Sequence, residues 1–146
     1  MSRAPEPVPD GIHFLEHTAD VGVEVHAADP RALFERAARG MIQLLVESSP
    51  NDGAPRTLAL EGVELPMLLR AWLRALLRWH EDGFTPAEIS VDALARDAHG
   101  SWRLAARVRG GPPPGHPLRE IKGVTLHGLA AEERPTGWYG RVIFDV

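Results

Sequence analysis

Ile89-Ser90-Val91-Asp92-Ala93-Leu94-Ala95-Arg96 and Trp102-Arg103-Leu104-Ala105-Ala106-Arg107-Val108 stand on either side of a short polar stretch, Asp97-Ala98-His99-Gly100-Ser101. In the first arm Ile89, Val91, Ala93 and Ala95 recur at every second position, and in the second arm Trp102, Leu104, Ala106 and Val108 do the same. Such alternation marks a half-buried strand, because successive side chains leave opposite faces of the pleat. Ala98-His99-Gly100-Ser101 supplies a turn, so the two arms read as an antiparallel hairpin. Parallel strands would instead need a long crossover between them.

Outward from the hairpin, the chain reads as two helices among about seven strands. Ile12 to Glu16 and Val21 to His26 are short strands, the second alternating Val21, Val23 and Val25 with Gly22, Glu24 and His26. Asp29-Pro30 is a helix-opening pair, in which the Asp side chain satisfies free amide donors while Pro has none to leave unpaired. The helix runs to about Val46, with Phe34, Ala37, Ala38, Met41 and Leu45 at helical spacing and Arg31, Glu35 and Arg39 at i,i+4 on another side. Arg56 to Glu61 is a strand. Leu65 to Glu81 is the second helix, with Leu65, Leu68, Leu69, Trp72, Leu73, Leu76 and His80 along one face, and Gly83 ends it. After the hairpin, a Gly- and Pro-rich loop precedes two last strands, Glu120 to Ala130 and Trp138 to Phe144. Helices on a mostly antiparallel sheet define an α+β fold.

At 146 residues the chain is long enough for one domain with a single core. Residues 1–10 carry three Pro and two acids and are expected to form a disordered tail, leaving residues 11–146 as the domain. No apolar run approaches a membrane span or a signal peptide, so a cytoplasmic protein is expected. There is no cysteine, which removes thiol catalysis, iron–sulfur clusters and Cys-ligated zinc. A metal would have to sit on carboxylates, imidazoles or carbonyls. The net charge is -4, and of the 16 basic residues only Lys122 is a lysine.

Phosphate-loop, nucleophile-elbow and His-Glu-x-x-His signatures are absent. Polar residues at strand ends remain. Asp20 borders the Val21 strand, Asp145 follows the strand ending at Phe144, and the chain then stops at Val146 with its α-carboxylate. If the two strand ends meet, these carboxylates converge, and like charges so placed call for a cation. Oxygen donors alone select Ca²⁺, Mg²⁺ or Mn²⁺. His17, three residues before Asp20, is a candidate ligand or proton carrier. Lys122 could balance the carboxylates; it lies five residues before His127 on one expected strand, an odd separation that needs a bulge, as at Gly123, for both to face one pocket. Two arginine rows, Arg70, Arg74 and Arg78 on the second helix and Arg103, Arg107 and Arg109 on the hairpin, would meet acids or a polyanion.

Taken in order, five segments resemble the archease family: Phe14-Leu15-Glu16-His17-Thr18-Ala19-Asp20-Val21-Gly22-Val23, Leu33-Phe34-Glu35-Arg36-Ala37-Ala38, Leu68 to Leu77, Glu120-Ile121-Lys122-Gly123-Val124-Thr125-Leu126-His127, and Val142-Ile143-Phe144-Asp145-Val146. The similarity spans about Gly11 to Val146. It departs at Gly123, where the family usually has Ala, and at Leu126, where it usually has an aromatic.

The resemblance implies a protein that is not itself an enzyme but a cofactor of the GTP-dependent RNA-splicing ligase, promoting the ligase's guanylylation and multiple turnover in tRNA splicing or RNA repair. It implies a divalent-metal site at Asp20, Asp145 and Val146, a functional basic residue at Lys122, and His17 as a neighbour within the motif. tRNA or other RNA would be reached through the ligase. Two other readings stand beside it: a metal-independent RNA-binding or chaperone-like module using the arginine rows, and a free-standing metal-dependent phosphohydrolase with His17 or His127 as base.

Overall fold

A computed structural model describes residues 11–16, 20–51 and 53–146. In chain order the elements are β1 (Ile12–Glu16), β2 (Asp20–Ala27), α1 (Pro30–Leu45), β3 (Arg56–Gly62), α2 (Leu65–Glu81), β4 (Thr85–Arg96), β5 (Trp102–Gly111), β6 (Gly123–Val124), β7 (Ala130–Arg134) and β8 (Gly137–Asp145). The strands form two sheets. One has the order β1-β2-β8-β6, with β7 also pairing to β8, and the other has the order β3-β5-β4. All the pairings between them are antiparallel. The α+β architecture read from the hairpin is therefore correct, and the eight strands divide between two sheets.

Each helix touches both sheets. α1 packs on β2 and β8 and also on β4, while α2 packs on β3 and β4 and on β6 and β7. That placement explains why α1 buries more than one stripe: Leu33, Gly40, Ile42 and Leu44 join Phe34, Ala37, Ala38, Met41 and Leu45. One continuous core results, centred on Trp72, Phe34, Phe144, Leu33 and Met41. Each large apolar side chain fully buried there contributes roughly 1.5–3 kcal/mol of transfer free energy. Trp72 also donates its indole N–H to the Phe34 carbonyl at 3.0 Å, tying α2 to α1 without leaving a buried donor unpaired.

Local signals place the helix ends. The Asp29 side chain accepts from the Ala32 N–H at 2.8 Å with Pro30 in the first turn, and Gly83 adopts φ 100° just beyond α2. Elsewhere tertiary context changes the expected pattern. Glu35 accepts the Val91 N–H at 2.8 Å across to β4, so it serves an inter-element bond as well as its own helix surface. A register shift between Val91 and Ala93 turns the alternation of β4, so Leu94 is buried and Ala93 and Ala95 are exposed. The expected strand from Glu120 to Ala130 is also corrected. Only Gly123 and Val124 pair there, a turn follows at residues 126–129, and β7 starts at Ala130 to form a hairpin with β8. Lys122 and His127 therefore do not share a strand, and Gly123 is no bulge. Among the described residues no helix is long and apolar enough to cross a membrane.

Thr85 is the buried polar residue of the core, at 0% exposure, and its hydroxyl lies 2.7 Å from Nδ1 of His80 near the end of α2. Burial lowers the His80 pKa below 6.5, against a smaller opposing pull from Glu81. The unfolded chain then binds the proton more readily than the folded one, so stability is full above pH 6.5, falls as pH drops from there toward the folded value, and levels off below it. The melting temperature is expected to decline between pH 7 and pH 5 with a contribution that His80→Gln removes, measured by thermal melts of both proteins across that range.

Candidate functional site

β2 starts and β8 ends at the same end of the larger sheet, side by side in its interior. The antiparallel register sets Asp20 directly across from Asp145, and β6 on the other side sets Gly123 across from Asp145. Residues so opposed share a face, with Cβ atoms about 4.5–5.5 Å apart. Their neighbours Val21 and Phe144 are buried at 8% and 0% exposure, so the pleat sends Asp20 and Asp145 to the face away from the core. Asp20 is half-buried, Asp145 exposed and Val146 half-buried. Gly123 adds no side chain to this row, and a Cβ built there would meet nothing within 4 Å.

The two residues of β6 are held by bonds on both sides. Lys122 donates its N–H to the Asp145 carbonyl at 2.7 Å, and Thr125 donates its N–H to the Ile143 carbonyl at 2.9 Å. From the helix side, Nε of Arg70 donates to the Val124 carbonyl at 2.8 Å. Lys122 itself is exposed and lines a cavity of about 270 Å³ together with Arg70, Arg74, Arg78 and Glu81 of α2. Its link to the carboxylates is the main-chain bond to Asp145, and its neighbours in the cavity are mostly cationic. His127 is exposed on the turn after β6, where its N–H donates to Oγ1 of Thr125 at 3.2 Å. His17 lies outside the described residues.

Two members of the second arginine row, Arg103 and Arg107, are neutralised by acids of the same sheet and its turn, while among the described residues Arg109 reaches only the Gly53 carbonyl at 3.5 Å. Arg107 binds Asp92 through two nitrogens at 2.8 and 3.0 Å, and Arg103 reaches Asp97 at 3.0 Å and Glu61 at 3.2 Å. The hydrogen bond from Arg107 holds the Asp92 carboxyl below its ordinary pKa, and that from Arg103, with N–H donors of Ser101 and His99, does the same for Asp97. On the outer face of the larger sheet, the Tyr139 hydroxyl donates to Glu24 at 2.5 Å, and burial, then Glu24, push the phenol up to about 12. Among the described residues no three His, Asp or Glu side chains gather as a metal cluster. The two side-chain carboxylates opposed at the sheet end have the oxygen chemistry of a hard divalent cation and not of a soft metal.

The sequence matches the model of the Archease protein family (MTH1598/TM1083) over residues 13–146. The chain belongs to the archease family. It is 30% identical over 138 residues to "Protein archease" of Methanosarcina acetivorans, covering 91% of this chain and 94% of that one. Its fold matches the solution structure of Methanobacterium thermoautotrophicum protein 1598, with a TM-score of 0.75 at 24% identity over 94% of this chain and 99% of that one. It also matches a Thermotoga maritima crystal structure described as an archease, possible chaperone, with a TM-score of 0.56 at 18% identity and full coverage of both chains.

Pairing Lys122 with the arginines of α2 was outside the reach of sequence spacing, which shows a repeat of four but not which row finds acids. The two glycines of the sheet end behave differently. A Cβ at Gly22 would lie 2.5 Å from the Val142 carbonyl oxygen and 2.6 Å from Cδ1 of Ile143, whereas one at Gly123 enters open space. In this archease Gly22→Ala is expected to cost about 1–3 kcal/mol by forcing β2 and β8 apart. Gly123→Ala should stay within about 0.5 kcal/mol. Urea unfolding of the two variants checks both values.

Proposed function

We propose that this archease is a non-catalytic activator of a GTP-dependent RNA-splicing ligase, and that it brings to the partner a divalent cation held by Asp20, Asp145 and a main-chain oxygen of Val146. The observation that carries the cation is the register of β2 on β8, which sets two carboxylates across from one another on one face. Like charges directly opposite destabilise a sheet, and a bound cation turns that cost into affinity. Oxygen donors of this kind suit Ca²⁺, Mg²⁺ or Mn²⁺.

When bound, such a cation supplies neutralisation of phosphoryl charge. The protein's own part is positional. The β2–β8 ladder holds the two carboxylates at a fixed spacing, and the Lys122 N–H ties the β6 segment to the same strand end. Family membership supports a role exerted on a partner, and the Thermotoga maritima relative's description as a possible chaperone agrees with that. A free-standing hydrolase would need a base beside the carboxylates; of the two candidates, His127 sits exposed on a turn beyond the strand end and His17 lies outside the described residues.

The test is guanylylation of the ligase with and without this protein. Asp20→Ala and Asp145→Ala should each lower the stimulation by at least about tenfold, as loss of groups supporting a metal does. They should also abolish a rise in melting temperature produced by Ca²⁺, Mg²⁺ or Mn²⁺ in the unaltered protein. Full stimulation by both variants would remove the cation from the account, and no stimulation by the unaltered protein would remove the ligase. Lys122→Arg is expected to weaken stimulation, since an ammonium and a guanidinium differ in size and donor geometry.

A further inference from the structure

Among the described residues, the arginine row of α2 keeps more of its N–H donors free than Arg103 and Arg107 of the hairpin do. Arg103 and Arg107 are bound to Asp97, Glu61 and Asp92, and Arg56 lies over the rings of Trp79 and Phe84. On α2, Arg70 uses Nε on the Val124 carbonyl and keeps its other N–H donors. Arg74 is exposed and makes no hydrogen bond or ion pair among the described residues. Arg78 pairs with Asp82 at 3.2 Å, but both side chains are mostly exposed, at 75% and 62%, and such pairs are worth little.

Three cations at i,i+4 repeat about every 6 Å along the helix and span about 12 Å. Like charges at that spacing disfavour the helix by a few tenths of a kcal/mol per pair, and of the three only Arg70 gains a part-buried bond in return, to the Val124 carbonyl. Lys122, the chain's single lysine, lines the same groove from the β6 side, and Glu81 is the one acid there. This gathering occurs in a chain whose net charge is -4, so it is a local feature and not a general basicity.

We propose that the groove between α2 and the β6 segment binds a single nucleic-acid strand through its phosphates. A straight, evenly repeated line of cations matches a ligand whose anions also repeat along a line. The cavity of about 270 Å³ has no aromatic side chain, so it offers no platform for stacking bases and reads no sequence. It also has no exposed apolar anchor: Leu77, at 5% exposure, is already part of the core. Protein interfaces depend on such anchors, which favours a phosphodiester strand over an acidic protein segment. The guanidinium forks and the compact ammonium are both suited to phosphate oxygens. This site goes beyond the activator reading and uses neither Asp20 nor Asp145, so the protein would touch RNA directly.

The experiment is fluorescence anisotropy of a labelled oligouridylate about 12 nucleotides long, with EDTA present so that the carboxylate site plays no part. Neutralising three or four phosphates of a single strand gives a log–log dependence on salt with a slope of roughly -2 to -3. Arg74→Gln should weaken binding and remove about 0.7 from that slope, and Arg74→Gln with Arg78→Gln about 1.4. Both side chains are exposed, so circular dichroism should show an unchanged fold. Arg103→Gln, at an arginine already paired with Asp97 and Glu61, should leave binding as it is. The proposal is overturned if no binding occurs at about 50 mM salt, if the double variant binds with the original slope, or if an oligoglutamate of equal charge binds as tightly. Absence of oligouridylate binding by the unaltered protein with intact ligase stimulation sinks the groove alone, and binding without stimulation sinks the activator alone.

Discussion

The pairing of β2 with β8 is the constraint on which the rest of this protein hangs. Eight consecutive register pairs, from Asp20 with Asp145 to Ala27 with Trp138, join the second strand of the chain to the last. Because side chains alternate, one choice of register does two things at once. It stacks Val21, Val23 and Val25 with Phe144 and Val142 beneath the helices, and it puts the two aspartates together on the opposite face. A slip of β2 by one residue would turn Asp20 toward the core and the valines away from it, so core burial, worth several kcal/mol over these side chains, protects the geometry of the polar end.

The close approach of these strands also explains why glycine stands at positions 22 and 140. A Cβ at Gly140 would meet Val25 at 3.0 Å and Leu33 at 3.4 Å, just where α1 lies on the sheet. The core side chains of both helices then serve two sheets, with Trp72 bonded to the Phe34 carbonyl between them. The smaller sheet pairs two of its arginines internally, Arg107 with Asp92 and Arg103 with Asp97 and Glu61.

Much of this was legible in the residues. The hairpin at Asp97 to Ser101, the Asp29 cap and both helices follow from local signals that need no partner. The meeting of Asp20 with Asp145 could be suspected, because each ends a strand, but only long-range pairing across more than a hundred residues decides it. Two things were not legible for definite reasons. The alternation of β4 fails at Ala93 and Ala95 because a register shift against β5 re-aims Leu94, and alanine is tolerated on either side. The segment after Lys122 looks like one strand because its apolar residues alternate, yet only Gly123 and Val124 find a partner on β8. Thr125 closes that short strand by sending both its N–H and its hydroxyl to the Ile143 carbonyl.

That short strand also decides how charge is distributed. With β6 ending at Val124 and Arg70 anchoring it from α2, Lys122 is drawn into the groove of the arginines, while its amide stays on Asp145. One strand end thus separates two chemistries. Acidic oxygens occupy the face of the sheet away from the core, and cations occupy the groove beside α2, with a single main-chain bond joining them. A phosphate ligand in the groove and a cation at the carboxylates would each lessen the repulsion within its own cluster. Of the 16 basic residues, the only lysine stands at this junction.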